Sequence, residues 1–337
     1  MVEIFRGQTA DEAWQAAARR FRSGEGVRTQ PSRAGETDEI LHSVLCIENP
    51  EQRWVVSRSP ALNPAFALAE VIWILRGRDD VQFLEYWNSQ IVDYLGEERA
   101  HGAYGPRLRE TFGLDQLERA YNALRNRPNT RQVVLQIYHP KHDLPNEDGS
   151  PSDQDVPCNV SSMLKVRDGC LEWTQVIRSN DLILGVPHNL VQFTSLQEIV
   201  AGWLGVDVGQ YSQISDSLHV YSQNREVVFD SEPIDVELNT DSLRLSKEES
   251  DECFTGLERR AQAFMEERLS RNQHLERSKW PDAPEGIQNI LFILSAEAAR
   301  RRGWESICTE VMDLCSNPLY EQLWNRWFAR VTSRTTI

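Results

Sequence analysis

Positive charge is what this 337-residue chain has least of: Lys and Arg total 36 against 51 Asp and Glu, a formal net charge of −15. That balance excludes a general nucleic-acid-binding surface, which needs a basic face, and it requires any anionic ligand to be held by a local arginine cluster. Long apolar runs are missing too. No stretch approaches the roughly 18 to 20 residues that a bilayer crossing needs. The opening MVEIFRGQTADEAW has no signal-peptide apolar region, so a cytoplasmic protein with no membrane partner is expected. The six cysteines, at 46, 158, 170, 253, 308 and 315, form no CxxC pair and have no ligand-spaced histidine beside them. Structural zinc and a disulfide framework are therefore both disfavoured, and no metal is expected.

What is there suits a packed globular enzyme: 40% hydrophobic residues and ten Trp in a chain long enough for one large domain with an appendage. TADEAWQAAARRFRSGEG reads as a helix with Thr9 as cap and a closing glycine. RTQPSRAGETDEI, polar and turn-rich, reads as a mobile loop, and ILHSVLCIENP alternates like a strand. NPAFALAEVIWILRG is a nearly continuous apolar helix with Asn63 as cap, Pro64 at its first position and Gly77 as terminator. Glu70 sits in its middle and must be paired, protonated or functional, because a lone buried carboxylate is costly. LDQLERAYNALRN is an amphipathic helix before the strand RQVVLQIYHP, and Lys141 to Asp155 reads as a flexible acidic excursion. NVSSMLKVRDGCLEWTQVIRS has the strongest hairpin signal, turning at Asp168-Gly169. HNLVQFTSLQEIVAGWLG then reads as a helix and VDVGQYSQISDSLHVY as a strand, with Asp216 taken as a turn former. After about Ser246 every segment has helical period, and Leu319, Leu323, Trp324 and Trp327 recur as a core or dimer-facing stripe. The fold class is α+β, a mixed β-sheet core with surrounding helices over 1–240 and a helical C-terminal extension over 241–337.

DVPCNVSS, residues 155–162, asks whether Cys158 is a nucleophile or a small core residue. A nucleophilic thiol needs a cation to hold it as thiolate, which Arg178 supplies in principle. Asn189 can donate and accept at once, and so can read a ring edge carrying adjacent N–H and C=O groups. Arg33, Arg131 and Arg178 suit a phosphate, with Ser179 adding a hydroxyl.

Five ordered motifs make the pattern specific. They are Pro157-Cys158 before a strand; Arg178-Ser179-x-Asp181-x-x-x-Gly185-x-Pro187-x-Asn189; His219-x-Tyr221; the helix from Glu70 to Gly77; and Tyr104-Gly105-Pro106-Arg107-Leu108-Arg109. Over about residues 10 to 225 the chain resembles the thymidylate synthase family. The resemblance implies a homodimer in which Cys158 adds to carbon 6 of a pyrimidine nucleoside monophosphate. Carbon 5 then takes a one-carbon unit from 5,10-methylenetetrahydrofolate. It further implies Glu70 and Tyr104 in proton transfer, Asn189 as base reader, and Arg33, Arg178 and Ser179 as phosphate ligands. Arg131 resembles an arginine given by the partner subunit, and His219 and Tyr221 a pair holding the ribose hydroxyl. Asp181, Trp87 and Gly185 fall where folate is contacted.

The pattern is also broken in places. Asn159 stands where the family has His, Ile177 where it has Gln, and Gln132 where a second arginine is usual. Polar Asp155 and His188 replace apolar folate-wall residues, and His188 reads as a capping or surface histidine. The chain after Tyr221 has no counterpart. Polar wall residues admit water, so the expected product is methylated or hydroxymethylated. dUMP is the favoured substrate. The alternatives are a CMP, dCMP or UMP 5-hydroxymethylase and a non-catalytic nucleotide-binding regulator.

Overall fold

A computed structural model describes residues 2–32, 35–96, 98–266 and 268–333. Its centre is a seven-stranded mixed sheet. The strands are β1 (Glu3–Gly7), β2 (Arg28–Ser32), β3 (Gly35–Ile47), β4 (Val134–Gln136), β5 (Asn159–Arg167), β6 (Cys170–Asp181) and β7 (Asp207–Tyr221). They run β1-β3-β7-β6-β5-β4, with β2 alongside β3; the β1–β3 and β6–β7 pairs are parallel and the other pairs antiparallel. The helices are α1 (Ala10–Ser23), α2 (Pro64–Leu75), α3 (Val81–Trp87), α4 (Val92–Leu95), α5 (Tyr104–Arg109), α6 (Gln116–Asn126), α7 (Pro140–Asp143), α8 (Gly185–Leu204), α9 (Arg225–Asp230), α10 (Lys247–Phe264), α11 (Arg271–Ser278), α12 (Glu285–Arg301), α13 (Glu305–Met312) and α14 (Pro318–Ser333). This is the α+β arrangement expected, and among the described residues no helix is long and apolar enough to cross a membrane.

Local chemistry explains the elements that frame the site. Thr9 caps α1 by accepting from Glu12 N–H, and Gly24 closes it at φ 70°. Asn63 caps α2 by accepting from Phe66 N–H, with Pro64 at the first position. Asp168 and Gly169, at φ 49° and 79°, make the left-handed turn that joins β5 to β6.

One face of the sheet is packed against α1, α6 and α8; α2 lies on α8, and α10 and α12 lie on α2. The C-terminal helices thus share a continuous core with the rest: Phe254, Leu257, Ile290, Leu294, Leu319, Leu323 and Trp324 are buried in it, with Trp327 half-buried. The opposite face of the sheet is only half-covered. On it Val44, Ile214, Val176 and Ser161 form one cross-strand row.

Three local expectations are corrected. The segment read as a mobile loop is the β2–β3 hairpin; its polar residues suit an edge strand, and Asp38 ties it down by accepting from Thr29 Oγ1 at 2.8 Å and Arg225 Nη2 at 2.6 Å. The Lys141–Asp155 excursion is anchored at its start: Asp143 is buried, accepting from Arg107 Nη2 at 3.0 Å, with His101 Nε2 also 3.0 Å away. Asp216 lies within β7, 3.0 Å from His42 Nδ1, and forms no turn.

Candidate active site

Cys158 lies immediately before β5, half-buried, on a loop held by Arg178 of the neighbouring strand. Arg178 N–H donates to Cys158 O at 2.9 Å, its Nε to Pro157 O at 3.0 Å and its Nη2 to Val156 O at 2.9 Å. The guanidinium therefore shapes the loop carrying the cysteine, which sequence reasoning had treated only as a thiolate or phosphate partner. None of the described cysteines is in a disulfide.

Tyr104, Asp155 and Glu70 gather around the same point. The Tyr104 hydroxyl is pushed far above its ordinary value, first by burial and then by Cys158, while a hydrogen bond with Asn159 opposes the shift. Burial raises the Asp155 carboxyl, which accepts from Gly102 N–H at 2.8 Å. Glu70, on α2, meets His188 from the first turn of α8: Oε2 and Nδ1 are 2.9 Å apart. Among the described residues neither atom has an aligned hydrogen bond, and both are shielded from solvent. His188 also packs edge-on against Phe66. It is thus neither a cap nor a surface residue, because α8 begins at Gly185 and turns the ring inward onto the acid.

Asn189, one residue on, is buried among other amides. It accepts from Asn159 Nδ2 at 3.1 Å and donates to Asn180 Oδ1 at 3.2 Å. A β-bulge between Asn159 and Ser161 brings Asn159 to the buried face of the sheet. Gly185 keeps the end of this row open, since a Cβ there would stand 3.0 Å from Asn180 Oδ1.

Asp181 ends β6. Its Oδ1 accepts from Ile183 N–H at 2.7 Å and Leu184 N–H at 3.1 Å. Burial raises its carboxyl, opposed by His219 and Arg58, and Oδ2 is a buried acceptor with no donor among the described residues. That orphaned oxygen fits a ligand offering a ring N–H, as a pterin does. His219, buried on β7, pairs in register with Asp181 and meets Tyr221 edge-on at 5.2 Å. Trp87 is 1% exposed, packed edge-on against Phe83 and Tyr86. Ser179 is half-buried on β6. Arg131 is exposed just before β4, and among the described residues no hydrogen bond or ion pair links it to the Cys158 cluster. Arg33 lies outside the described residues.

Sequence reasoning missed a basic group beside Asp181. Arg58 is buried, and burial and then Arg330 push its guanidinium down to about 10, with Asp181 opposing. Arg326 and Arg330 come from α14; Arg326 donates to Arg58 O at 3.4 Å and Arg330 to Ala61 O. No spacing rule joins positions 58, 326 and 330, so only packing reveals them. Among the described residues no group of His, Cys, Asp and Glu could hold a metal ion.

Comparison with known proteins agrees with this geometry. A family model described as Thymidylate synthase matches residues 42–275, and so runs past Tyr221 into the helical region expected to have no counterpart, correcting that expectation as far as residue 275. A Deoxyuridylate hydroxymethyltransferase of Bacillus phage SP01 is 40% identical over 195 residues, 54% of this chain and 50% of that protein. One of the same name from Pseudomonas phage M6 is 35% identical over 205 residues, 60% of this chain and 57% of that protein. A Putative thymidylate synthase of Methanothermobacter marburgensis is 30% identical over 220 residues, 63% of this chain and 90% of that protein. The matched segment thus spans about half the length of the two phage relatives.

Proposed function

This chain belongs to the thymidylate synthase family, and on that premise we propose that it delivers a one-carbon unit to carbon 5 of deoxyuridylate as a hydroxymethyl group. Cys158 would add to carbon 6, splitting a hard substitution on an unactivated ring into two easier steps. Asn189 would hold the base edge. Arg178, Ser179, Arg33 and Arg131 would take the phosphate, and His219 and Tyr221 the ribose. Tyr104, whose proton is held tightly by its buried surroundings, would relay the carbon-5 proton in company with Glu70. 5,10-Methylenetetrahydrofolate would supply the one-carbon unit. Asp181 and Gly185 are the residues to hold it, with Asp181 Oδ2 as the acceptor, whereas Trp87, 1% exposed, offers it no surface.

One observation carries the choice of hydroxymethyl over methyl: the Glu70–His188 pair, 2.9 Å apart and not hydrogen-bonded to each other. Two polar groups in direct contact leave no room for a water between them, but their outer edges can hold a water beside the pair and take its proton as its oxygen attacks. An apolar wall would exclude that water. The names of the phage relatives lean the same way.

The half-covered sheet face, with Val44, Ile214 and Val176 in one row, supports a second copy of the chain as its cover and hence a homodimer. The test of function is tritium release from dUMP, UMP, dCMP and CMP labelled at carbon 5, with methylenetetrahydrofolate present and the products separated. Release from dUMP with a hydroxymethyl product, abolished by Cys158→Ala, is the expected result. A methylated product overturns the hydroxymethyl reading, and no release from any of the four overturns the enzymatic one.

A further inference from the structure

Asn189 lies in a chain of buried amides whose direction is set by one indole. Trp173 and Gln175 share the buried face of β6, and Trp173 Nε1 donates to Gln175 Oε1 at 3.2 Å. Gln175 Nε2 donates in turn to Asn159 Oδ1 at 2.8 Å, Asn159 Nδ2 to Asn189 Oδ1 at 3.1 Å, and Asn189 Nδ2 to Asn180 Oδ1 at 3.2 Å. None of these five residues is more than 7% exposed. A primary amide turned end for end keeps its shape, so each link taken alone leaves its direction open.

The chain's other contacts do not choose. Ser162 Oγ on Gln175 at 2.6 Å, Ser215 Oγ on Asn180 at 3.0 Å and the Tyr104 hydroxyl on Asn159 all belong to groups that either donate or accept. Trp173 differs, because an indole N–H only donates. Gln175 must show it an oxygen, and every amide downstream must then point the same way. Reversing the row would set an amide N–H against the indole N–H and leave a buried donor unsatisfied.

We infer that the Trp173–Gln175–Asn159 relay holds Asn189 in the orientation that reads uracil and rejects cytosine. After its two relay bonds, Asn189 retains one carbonyl lone pair and one N–H. In this direction they match the N3–H donor and C4=O acceptor of uracil; cytosine offers an acceptor and a donor in the reverse order. The inference rests on Asn189 being the base contact. Trp173 and Gln175 act through Asn189 and are positioning residues.

The test needs only nucleotide binding by the full chain, measured calorimetrically with dUMP and dCMP for the wild type, Trp173→Phe and Gln175→Met. The wild type is expected to prefer dUMP. Each variant should keep dUMP binding while the preference narrows by about tenfold or more, the scale of one unsatisfied buried donor. Gln175→Met leaves the indole in place, so it tests the relay even where Trp173→Phe fails to fold. Equal losses for both nucleotides, or an unchanged preference with dUMP binding intact, overturn the relay. A wild type that binds both equally also overturns it. Binding of neither nucleotide by the wild type overturns instead the nucleotide reading on which it rests.

Discussion

Acid should weaken this protein through one histidine far from the chemistry. His274, on α11, is fully buried; its Nε2 lies 3.0 Å from Ser295 O and 2.8 Å from Ser295 Oγ, and its ring touches Phe264 and Trp304. Nδ1 is buried without a partner among the described residues, so a second proton would meet no acceptor among them. Burial, and then the neighbouring Arg302 and Arg277, lower its pKa to about 4, against the opposing hydrogen bond to Ser295. A histidine lowered on folding binds its proton more tightly when unfolded. Its stabilising effect is therefore complete above the unfolded value of about 6.5 and is lost as pH falls from there towards 4. Between pH 7 and pH 5 the two values give a loss of about 2 kcal/mol. Urea unfolding of the wild type and of His274→Gln, which can still donate to Ser295 but does not titrate, should differ by that amount in pH dependence. Because α10 and α12 pack on the helix carrying Glu70, one cooperative transition is expected. Parallel pH profiles for the two proteins would refute the reasoning.

Other expectations follow from single contacts. Arg53→Met should lower stability by about 3 to 5 kcal/mol in urea titration, because it strands Glu198, a fully buried carboxylate that also accepts from Leu243 N–H. Gly102→Ala should reduce activity more than melting temperature: its Cβ would fall 2.8 Å from Asp155 O and Oδ1 and so displace the loop that leads to Cys158. Val176→Asp, on the half-covered sheet face, should shift the chain towards monomer in light scattering, through a charge desolvated at the proposed dimer interface. His188→Phe should lower the hydroxymethyl product relative to total carbon-5 tritium release, as counted by product chromatography.

The elements were legible where local chemistry is decisive. Thr9, Asn63 and Pro64 announce their helices, and Asp168-Gly169 announces its hairpin, since caps and left-handed turns depend on one or two residues. The β2–β3 hairpin was misread because its polar, turn-prone residues carry no apolar alternation. Its pairing is set by β3, which continues past the core and offers a free edge. His188 was misread for a related reason: a histidine near a helix start looks like a cap until the helix is laid against α2 and the ring meets Glu70.

The sequence by itself determined the family, through five ordered motifs, and the candidate nucleophile and base reader within it. Those are residues whose chemistry is carried by their own type and by neighbours a few positions away. Only the tertiary structure decided what surrounds them. It set Arg178 against the carbonyls before Cys158 and His188 against Glu70, drew Arg58 to Asp181 and Arg326 and Arg330 to the segment carrying Arg58, and put Trp173 at the head of the row of amides that orients Asn189. Those partners come together by strand pairing and helix packing across up to 272 positions of chain, from 58 to 330. Contacts of that span follow from how elements stack, and no local spacing encodes them.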